Sequence, residues 1–260
     1  HAFHGCVLSP VLFSFYTSEG IQGNDECKII KYADDTVVIG LMTDDNVASY
    51  TMFKERFVEW CDAHHLKLNV SKTKETVFDF RRNGENHEQL VIHDVSVEQV
   101  NEYKYLGTVV TSSLDWSDNV QRLYKKGNQR LYFLRQLKKL HVDNTILELS
   151  YKALIQSVIT FNLICYFGNV TQRNGNKLER IRKVSQRIVG RQLPPISSLY
   201  EERVLAKLKQ ILTDPTHPLR EEYTFNRSGF RLRAPRTNRQ RFRNSFVIHS
   251  THTYNSTVRL

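Results

Sequence analysis

Cys27-Lys28-Ile29-Ile30-Lys31-Tyr32-Ala33-Asp34-Asp35-Thr36-Val37-Val38-Ile39-Gly40-Leu41 decides the fold. Two runs rich in β-branched and aromatic residues, 27–32 and 36–41, are separated only by Ala33-Asp34-Asp35. That spacing predicts a β-hairpin carrying two carboxylates at its tip. Phosphodiester chemistry by two divalent cations needs such a pair on a rigid edge, because the ions must grip both the attacking and the leaving oxygens. Asp-Asp in a tight turn is by itself ordinary turn chemistry, so the neighbouring sequence has to discriminate.

Upstream, Leu8-Ser9-Pro10-Val11-Leu12-Phe13 reads as a helix start. Ser9 is placed to cap, Pro10 fits the first turn where a missing N–H costs nothing, and the helix runs to about residue 17. Downstream, Val47, Met52, Phe53, Phe57 and Trp60 recur at helical spacing and predict an amphipathic helix over 44–66, packed on a sheet. Residues 68–70, 75–80, 90–92 and 103–110 read as short extended pieces between turns. After residue 114 the period becomes helical for good. Leucines from 123 to 140 mark one helix, 146–167 a second and strongly apolar one, 177–190 a third and 199–212 a fourth. Pro194-Pro195 forbids a helical link between the last two. No periodicity and no internal repeat is legible beyond residue 215. The fold class expected is α+β, with a mixed domain over 1–112, a helical domain over 113–213 and a basic, partly disordered extension over 214–260.

The 260 residues are 40% hydrophobic and 25% charged, which suits a folded chain with a core of its own. Lys and Arg total 37 against 27 Asp and Glu, a net charge of +10. The excess lies at the end: after Glu222 there are eight arginines and no acid. Cys6, Cys27, Cys61 and Cys165 lie far apart without a CxxC or a Cys/His cluster, which argues against a zinc site or a disulfide framework and for a reducing compartment. No apolar stretch reaches the roughly 18 residues of a membrane span, and no signal peptide is legible. A soluble protein of the nucleus or cytoplasm is expected. The chain opens at His1 without a methionine, which suggests a fragment or a processed product.

Three further blocks accompany the acidic tip: Gly5-Cys6-Val7-Leu8-Ser9-Pro10 before it, and Asn69-Val70-Ser71-Lys72 and Tyr103-Lys104-Tyr105-Leu106-Gly107 after it. In this order they resemble the reverse transcriptases of non-LTR, LINE-type retrotransposons, specifically the vertebrate chicken-repeat and L2-like forms, from the second palm motif onward. The resemblance runs to about residue 246. It implies a polymerase palm, a helical thumb, and an RNA-directed DNA polymerase extending a primer on an RNA template with dNTPs and Mg²⁺. It implies that Asp34 and Asp35 hold the metals and that Gly5, Ser9 and Pro10 form a loop and helix under the template base. Lys72 would lie by the nucleotide phosphates, and Tyr105, Leu106 and Gly107 would grip the primer end. The physical grounds are compatible. Gly5 has no Cβ to keep a backbone or base away, and an ammonium such as that of Lys72 serves both as phosphate partner and as acid. A solvated lysine would look the same. The chain also departs from the family: His1, Phe3 and His4 stand where a glycine, a proline and a glutamine are usual. The fingers and the first metal-binding aspartate would precede His1, so an incomplete metal site without polymerase activity of its own is expected of these residues.

Arg122, Lys125, Lys126, Arg130, Arg135, Lys138 and Lys139 fall between Asn119 and Val142 without one acid. Counterion release makes such a face attractive to a phosphate backbone, and in the family it belongs to the thumb. A second basic helix carries Lys177, Arg180, Arg182, Lys183 and Arg187. The arginines from 227 to 243, interspersed with Phe230 and Phe242, fit either a grip on RNA by charge and stacking or a disordered end without a partner. The alternative function is therefore a non-catalytic, RNA-binding relic. His141, Asp143 and His217, with Arg227 and Arg233, spell the ligand set of an Fe(II)/2-oxoglutarate dioxygenase, but on helices instead of jelly-roll strands. The basic helix also resembles a short segment before the oxygenase domain of an AlkB-homologue tRNA-modifying enzyme. That likeness supports neither dioxygenase nor methyltransferase activity.

Overall fold

The computed structural model describes residues 8–17, 20, 23–24, 26–42, 47–81 and 89–258. The chain divides into two units, one formed by His1–Glu75 with Asn86–Gln99, the other by Thr76–Glu85 with Val100–Leu260.

In the first unit, helix α1 spans Ser9–Tyr16, with Leu8 at the cap position and the proline in its first turn. Ser9 is thus the first helical residue, not the cap. Strands β1 (Cys27–Tyr32) and β2 (Asp35–Gly40) pair antiparallel in register from Cys27 opposite Gly40 to Tyr32 opposite Asp35. Ahead of β1, the Asn24 carboxamide accepts the backbone N–H groups of Glu26 and Cys27. Helix α2 (Val47–Ala63) turns Phe53 and Cys61 into the interior. It stops short of the expected residue 66, where His65 takes a left-handed backbone. Lys31 is fixed above Trp60, 4.8 Å from the ring centre, while its ammonium donates to the Thr17 carbonyl. Strand β3 (Lys74–Glu75) runs parallel to β6 (Glu98–Gln99), and β4 (Val91–Ile92) and β5 (Val95–Ser96) form a small hairpin. Residues 68–70, expected to be extended, instead lead into a tight turn.

The second unit opens with strands β7 (Glu102–Tyr105) and β8 (Thr108–Thr111), an antiparallel hairpin closed at Leu106-Gly107. Helix α3 (Ser117–Lys139) follows, then α4 (Asn144–Tyr151), a π-turn over Lys152–Gln156, α5 (Ser157–Ile159), α6 (Leu163–Tyr166), α7 (Gln172–Val189) and α8 (Ile196–Thr213). Leu131 and Leu134 of α3, Leu147, Tyr151, Ile155 and Leu163 of the next segment, and Leu178 and Ile181 of α7 share one core. Gly127 lets α3 and α7 approach closely, since a Cβ there would lie 2.5 Å from Ile181 Cδ1. The single helix expected over 146–167 is interrupted. Thr160 turns its hydroxyl back onto the Gln156 carbonyl, and Asn162 adopts φ +50, where the ladder ends.

Beyond residue 214 the chain adds α9 (Gln240–Arg243) and α10 (Phe246–Thr257). Tyr223 and Leu232 join Leu208 and Ile211 of α8 in a second small core. All four sheets among the described residues are two-stranded, and no described helix is long and apolar enough to cross a membrane. The architecture is mixed helix and small antiparallel sheets, apart from the short parallel pair.

Candidate functional site

Because Tyr32 pairs with Asp35, the β1–β2 turn has only two residues, Ala33 and Asp34, and Asp35 opens β2. The sequence expectation put both aspartates in a three-residue tip. Ala33 holds φ +53, the left-handed value that closes so tight a turn. Both carboxylates are solvent-exposed, one in the turn and the other on the first paired residue. No group of three or more His, Cys, Asp or Glu gathers into a metal-binding cluster among the described residues. Gly5 lies outside those residues, as do the side chains of Ser9 and Pro10, whose backbone opens α1.

Lys72 stands on a turn organised by Asn69. The Asn69 carboxamide accepts the Lys72 N–H at 3.2 Å and the Ser71 hydroxyl at 2.8 Å, and its carbonyl accepts the Lys72 and Thr73 N–H groups, each at 3.0 Å. Asn is suited to this because its short amide reproduces a backbone turn. Lys72 itself is left exposed.

In the second unit, Tyr105 pairs with Thr108 across Leu106 and Gly107, whose φ values of +42 and +87 mark a tight hairpin turn of the primed kind. Phe161 packs on this turn: a Cβ at Gly107 would meet its Cε1 at 3.0 Å. Asn162 donates to the Thr108 hydroxyl at 2.8 Å. The helix break at 160–162 thus supports the Tyr-Leu-Gly hairpin. Sequence reading missed Phe161 and Asn162, although an asparagine inside an apolar helical run was a usable signal.

On α3, Arg122, Lys126 and Arg130 follow one another at four-residue spacing on a single stripe. Lys125, Lys126, Arg135, Lys138 and Lys139 are exposed, while Arg122 and Arg130 are half-buried. Arg130 reaches the Leu154 carbonyl and Lys138 the Asn144 carboxamide. Desolvation lowers the Lys126 pKa, and the charges of Arg122, Lys104 and Arg130 lower it further. Strand β7 and helix α3 therefore concentrate positive charge at one place, which suits a polyanion. On α7, Arg182 does not belong to the basic face. It is 7% exposed, and its guanidinium bonds Glu179, Gln186 and the Leu193 carbonyl.

The iron-ligand alternative is not assembled. The Asp143 side chain accepts the Thr145 N–H at 2.7 Å as the cap of α4, and hydrogen bonds from the Thr145 hydroxyl and N–H hold its carboxyl below the usual range. His217 Nδ1 accepts the Leu219 N–H.

Residues 3–110 match the family model described as reverse transcriptase (RNA-dependent DNA polymerase). Residues 116–157 match the model described as alkylated DNA repair protein alkB homolog 8, N-terminal, over α3, α4 and the π-turn. The chain is 27% identical to the probable RNA-directed DNA polymerase from transposon X-element of Drosophila melanogaster over 152 residues, 55% of this chain and 16% of that protein. It is 25% identical to the RNA-directed DNA polymerase from mobile element jockey of Drosophila funebris over 199 residues, 70% of this chain and 21% of that protein. No solved structure matches. Over residues 3–110 the chain is thus similar to the reverse transcriptase family, and both of these relatives are RNA-directed DNA polymerases of mobile elements, of which the chain spans about a fifth or less.

Proposed function

We propose that these 260 residues are the C-terminal palm, over 1–112, the thumb, over 113–213, and a basic extension, over 214–260, of an RNA-directed DNA polymerase. The observation that carries this reading is the exposed, adjacent Asp34 and Asp35 within the matched region, one in a two-residue hairpin turn and the other on the first paired residue of β2. Its substrates would be an RNA template, a DNA primer and dNTPs.

The donor set suits Mg²⁺: carboxylate oxygens are hard ligands, and this ion is commonly held by one or two carboxylates plus substrate phosphates while it keeps several waters. The exposure of Asp34 and Asp35 leaves room for those waters. When bound, the metal supplies charge neutralisation of the transferring phosphoryl group and activation of the attacking hydroxyl. Asp34 and Asp35 would hold it, with the six-residue β1–β2 pairing fixing both backbones. Lys72, propped outward by Asn69, would contact the nucleotide phosphates and supply a proton to the departing pyrophosphate. Gly5, Ser9 and Pro10 would seat the template base. The Tyr105-Leu106-Gly107 turn would position the primer end. Arg122, Lys125, Lys126, Arg130, Arg135, Lys138 and Lys139 would line the duplex backbone.

Primer extension on an RNA template with Mg²⁺, with these residues placed in a polymerase that supplies a full metal site, tests the proposal. Extension abolished by Asp34→Ala and by Asp35→Ala supports it. Extension indifferent to both refutes the assignment of the metal site. Salt-sensitive RNA binding without extension would leave these residues as a binding element alone.

A further inference from the structure

The arginines that follow Glu222 sit on a folded platform. Thr224 to Arg233 close a hairpin: the Asn226 N–H donates to the Arg231 carbonyl at 2.7 Å, and the Arg233 N–H to the Thr224 carbonyl at 2.8 Å. Phe225 bridges Leu232, and the Gly229 N–H returns to the Asn226 carbonyl at the tip. The base of the hairpin is anchored twice on α10. The Asn255 carboxamide accepts the Leu232 N–H and donates to the Leu232 carbonyl, at 2.9 and 2.8 Å, and the Tyr223 and Ser250 hydroxyls share a hydrogen bond of 2.8 Å. Leu232 is buried against Leu208 and Ile211, so strand alternation turns Arg231 and Arg233 to the opposite, outer face.

What this frame displays is one-sided. All seven arginines between 227 and 243 are exposed, no acid occurs after Glu222, and no carboxylate among the described residues pairs with any of the seven. Phe230 stands 68% exposed beside the tip. Further along, the Arg241 guanidinium lies over the Phe80 ring at 4.5 Å. A bare phenyl ring between unpaired guanidiniums matches a ligand with regularly spaced phosphates and free aromatic faces. Bases offer those faces only when they are unstacked from a duplex.

We propose that the hairpin at 224–233, continued to Arg243, is a second nucleic-acid surface that takes single-stranded nucleic acid. Arg227, Arg231 and Arg233 contact the phosphates and Phe230 stacks on a base. This surface is separate from the α3 stripe and does not rest on the polymerase reading, because it needs neither metal nor Asp34. An inactive metal site would leave it intact.

Fluorescence anisotropy of the full chain tests it, with an oligo-U RNA of about 12 nucleotides, the equivalent DNA and a blunt RNA duplex as probes. The triple variant Arg227→Gln/Arg231→Gln/Arg233→Gln is expected to bind single strands at least tenfold more weakly. Its salt dependence should be shallower by about 2 in log–log slope, at roughly 0.7 per phosphate contact on single strands. Phe230→Ala should weaken single-strand binding about tenfold and leave duplex binding unchanged. Asn255→Ala keeps every arginine but unhooks the hairpin base, and it should also lower single-strand affinity while circular dichroism shows the helices retained. A preference for RNA over DNA would identify RNA as the natural strand, and equal affinity would assign recognition to phosphate and base alone. A triple variant that binds like the parent overturns the proposal, as does a Phe230→Ala loss equal on duplex and single strand, or an unaffected Asn255→Ala.

Discussion

Replacing Gly107 with alanine probes the Tyr105–Thr108 turn at its tightest point. Gly107 holds φ +87 beside Leu106 at +42, a backbone that costs a residue with a Cβ roughly 1–2 kcal/mol. The added methyl would also lie 3.0 Å from Phe161 Cε1. Phe161 is 49% exposed and can swing aside, so the contact adds less than the backbone does. Gly107→Ala should therefore destabilise the second unit by about 1–2 kcal/mol, a fall in midpoint of about 2–8 °C for a unit of this size. Thermal unfolding followed by circular dichroism measures it. Asparagine carries the same Cβ but tolerates left-handed backbone, so Gly107→Asn should lose clearly less than Gly107→Ala. Primer–template binding by the alanine variant should weaken in step, because the turn that presents Tyr105 is no longer closed. An alanine variant as stable as the parent would refute the positive-φ turn. Equal losses for alanine and asparagine would assign the whole cost to Phe161 and refute the backbone argument.

Arg182→Met should cost about 3 kcal/mol in denaturant unfolding, since it leaves Glu179 and the Leu193 carbonyl without their buried partner; the double variant Arg182→Met/Glu179→Leu should recover much of that. Asp143→Ala should lower the unfolding midpoint by removing the cap of α4. Because the folded carboxyl titrates below its unfolded value, this stabilisation is complete above the ordinary carboxylate range and disappears as pH falls through the folded pKa. The midpoint difference between parent and variant should thus close in acid, and a constant difference would contradict it. Lys126→Gln should weaken duplex binding and flatten its salt dependence by about one phosphate contact. In the parent, desolvation of Lys126, with crowding by Arg122, Lys104 and Arg130, should make binding decline at a pH below that of an ordinary lysine.

The elements that follow one local period were legible in the sequence. The β-branched and aromatic runs at 27–32 and 36–41 give β1 and β2, and the leucines of α3 give a long helix because its one buried face enforces the pattern. At the break over 160–162 only Asn162 within an apolar run gave a signal, because the hydrogen bond that fixes it runs to Thr108, far away in sequence, while Thr160 turns back onto Gln156. Arg182 looks like its basic neighbours until Glu179, Gln186 and the Leu193 carbonyl converge on it. The region after residue 215 lacks periodicity because its anchors, Tyr223, Leu232 and Asn255, are single residues meeting α8 and α10. At the candidate site, the paired aspartates declare themselves by adjacency between two β runs. The cation cluster of Lys104 with Arg122, Lys126 and Arg130 does not, since it joins a strand to a helix.

Iron-directed cleavage tests most directly whether the Asp34-Asp35 turn holds a divalent cation. Fe²⁺ substituted for Mg²⁺, with ascorbate and peroxide, produces hydroxyl radicals that cut the backbone beside the bound ion. Cuts should cluster at residues 33–36, fade as Mg²⁺ is added in excess, and vanish in Asp34→Asn/Asp35→Asn. Cuts concentrated elsewhere, or a pattern unchanged by that double substitution, would contradict a metal-holding polymerase edge at this hairpin.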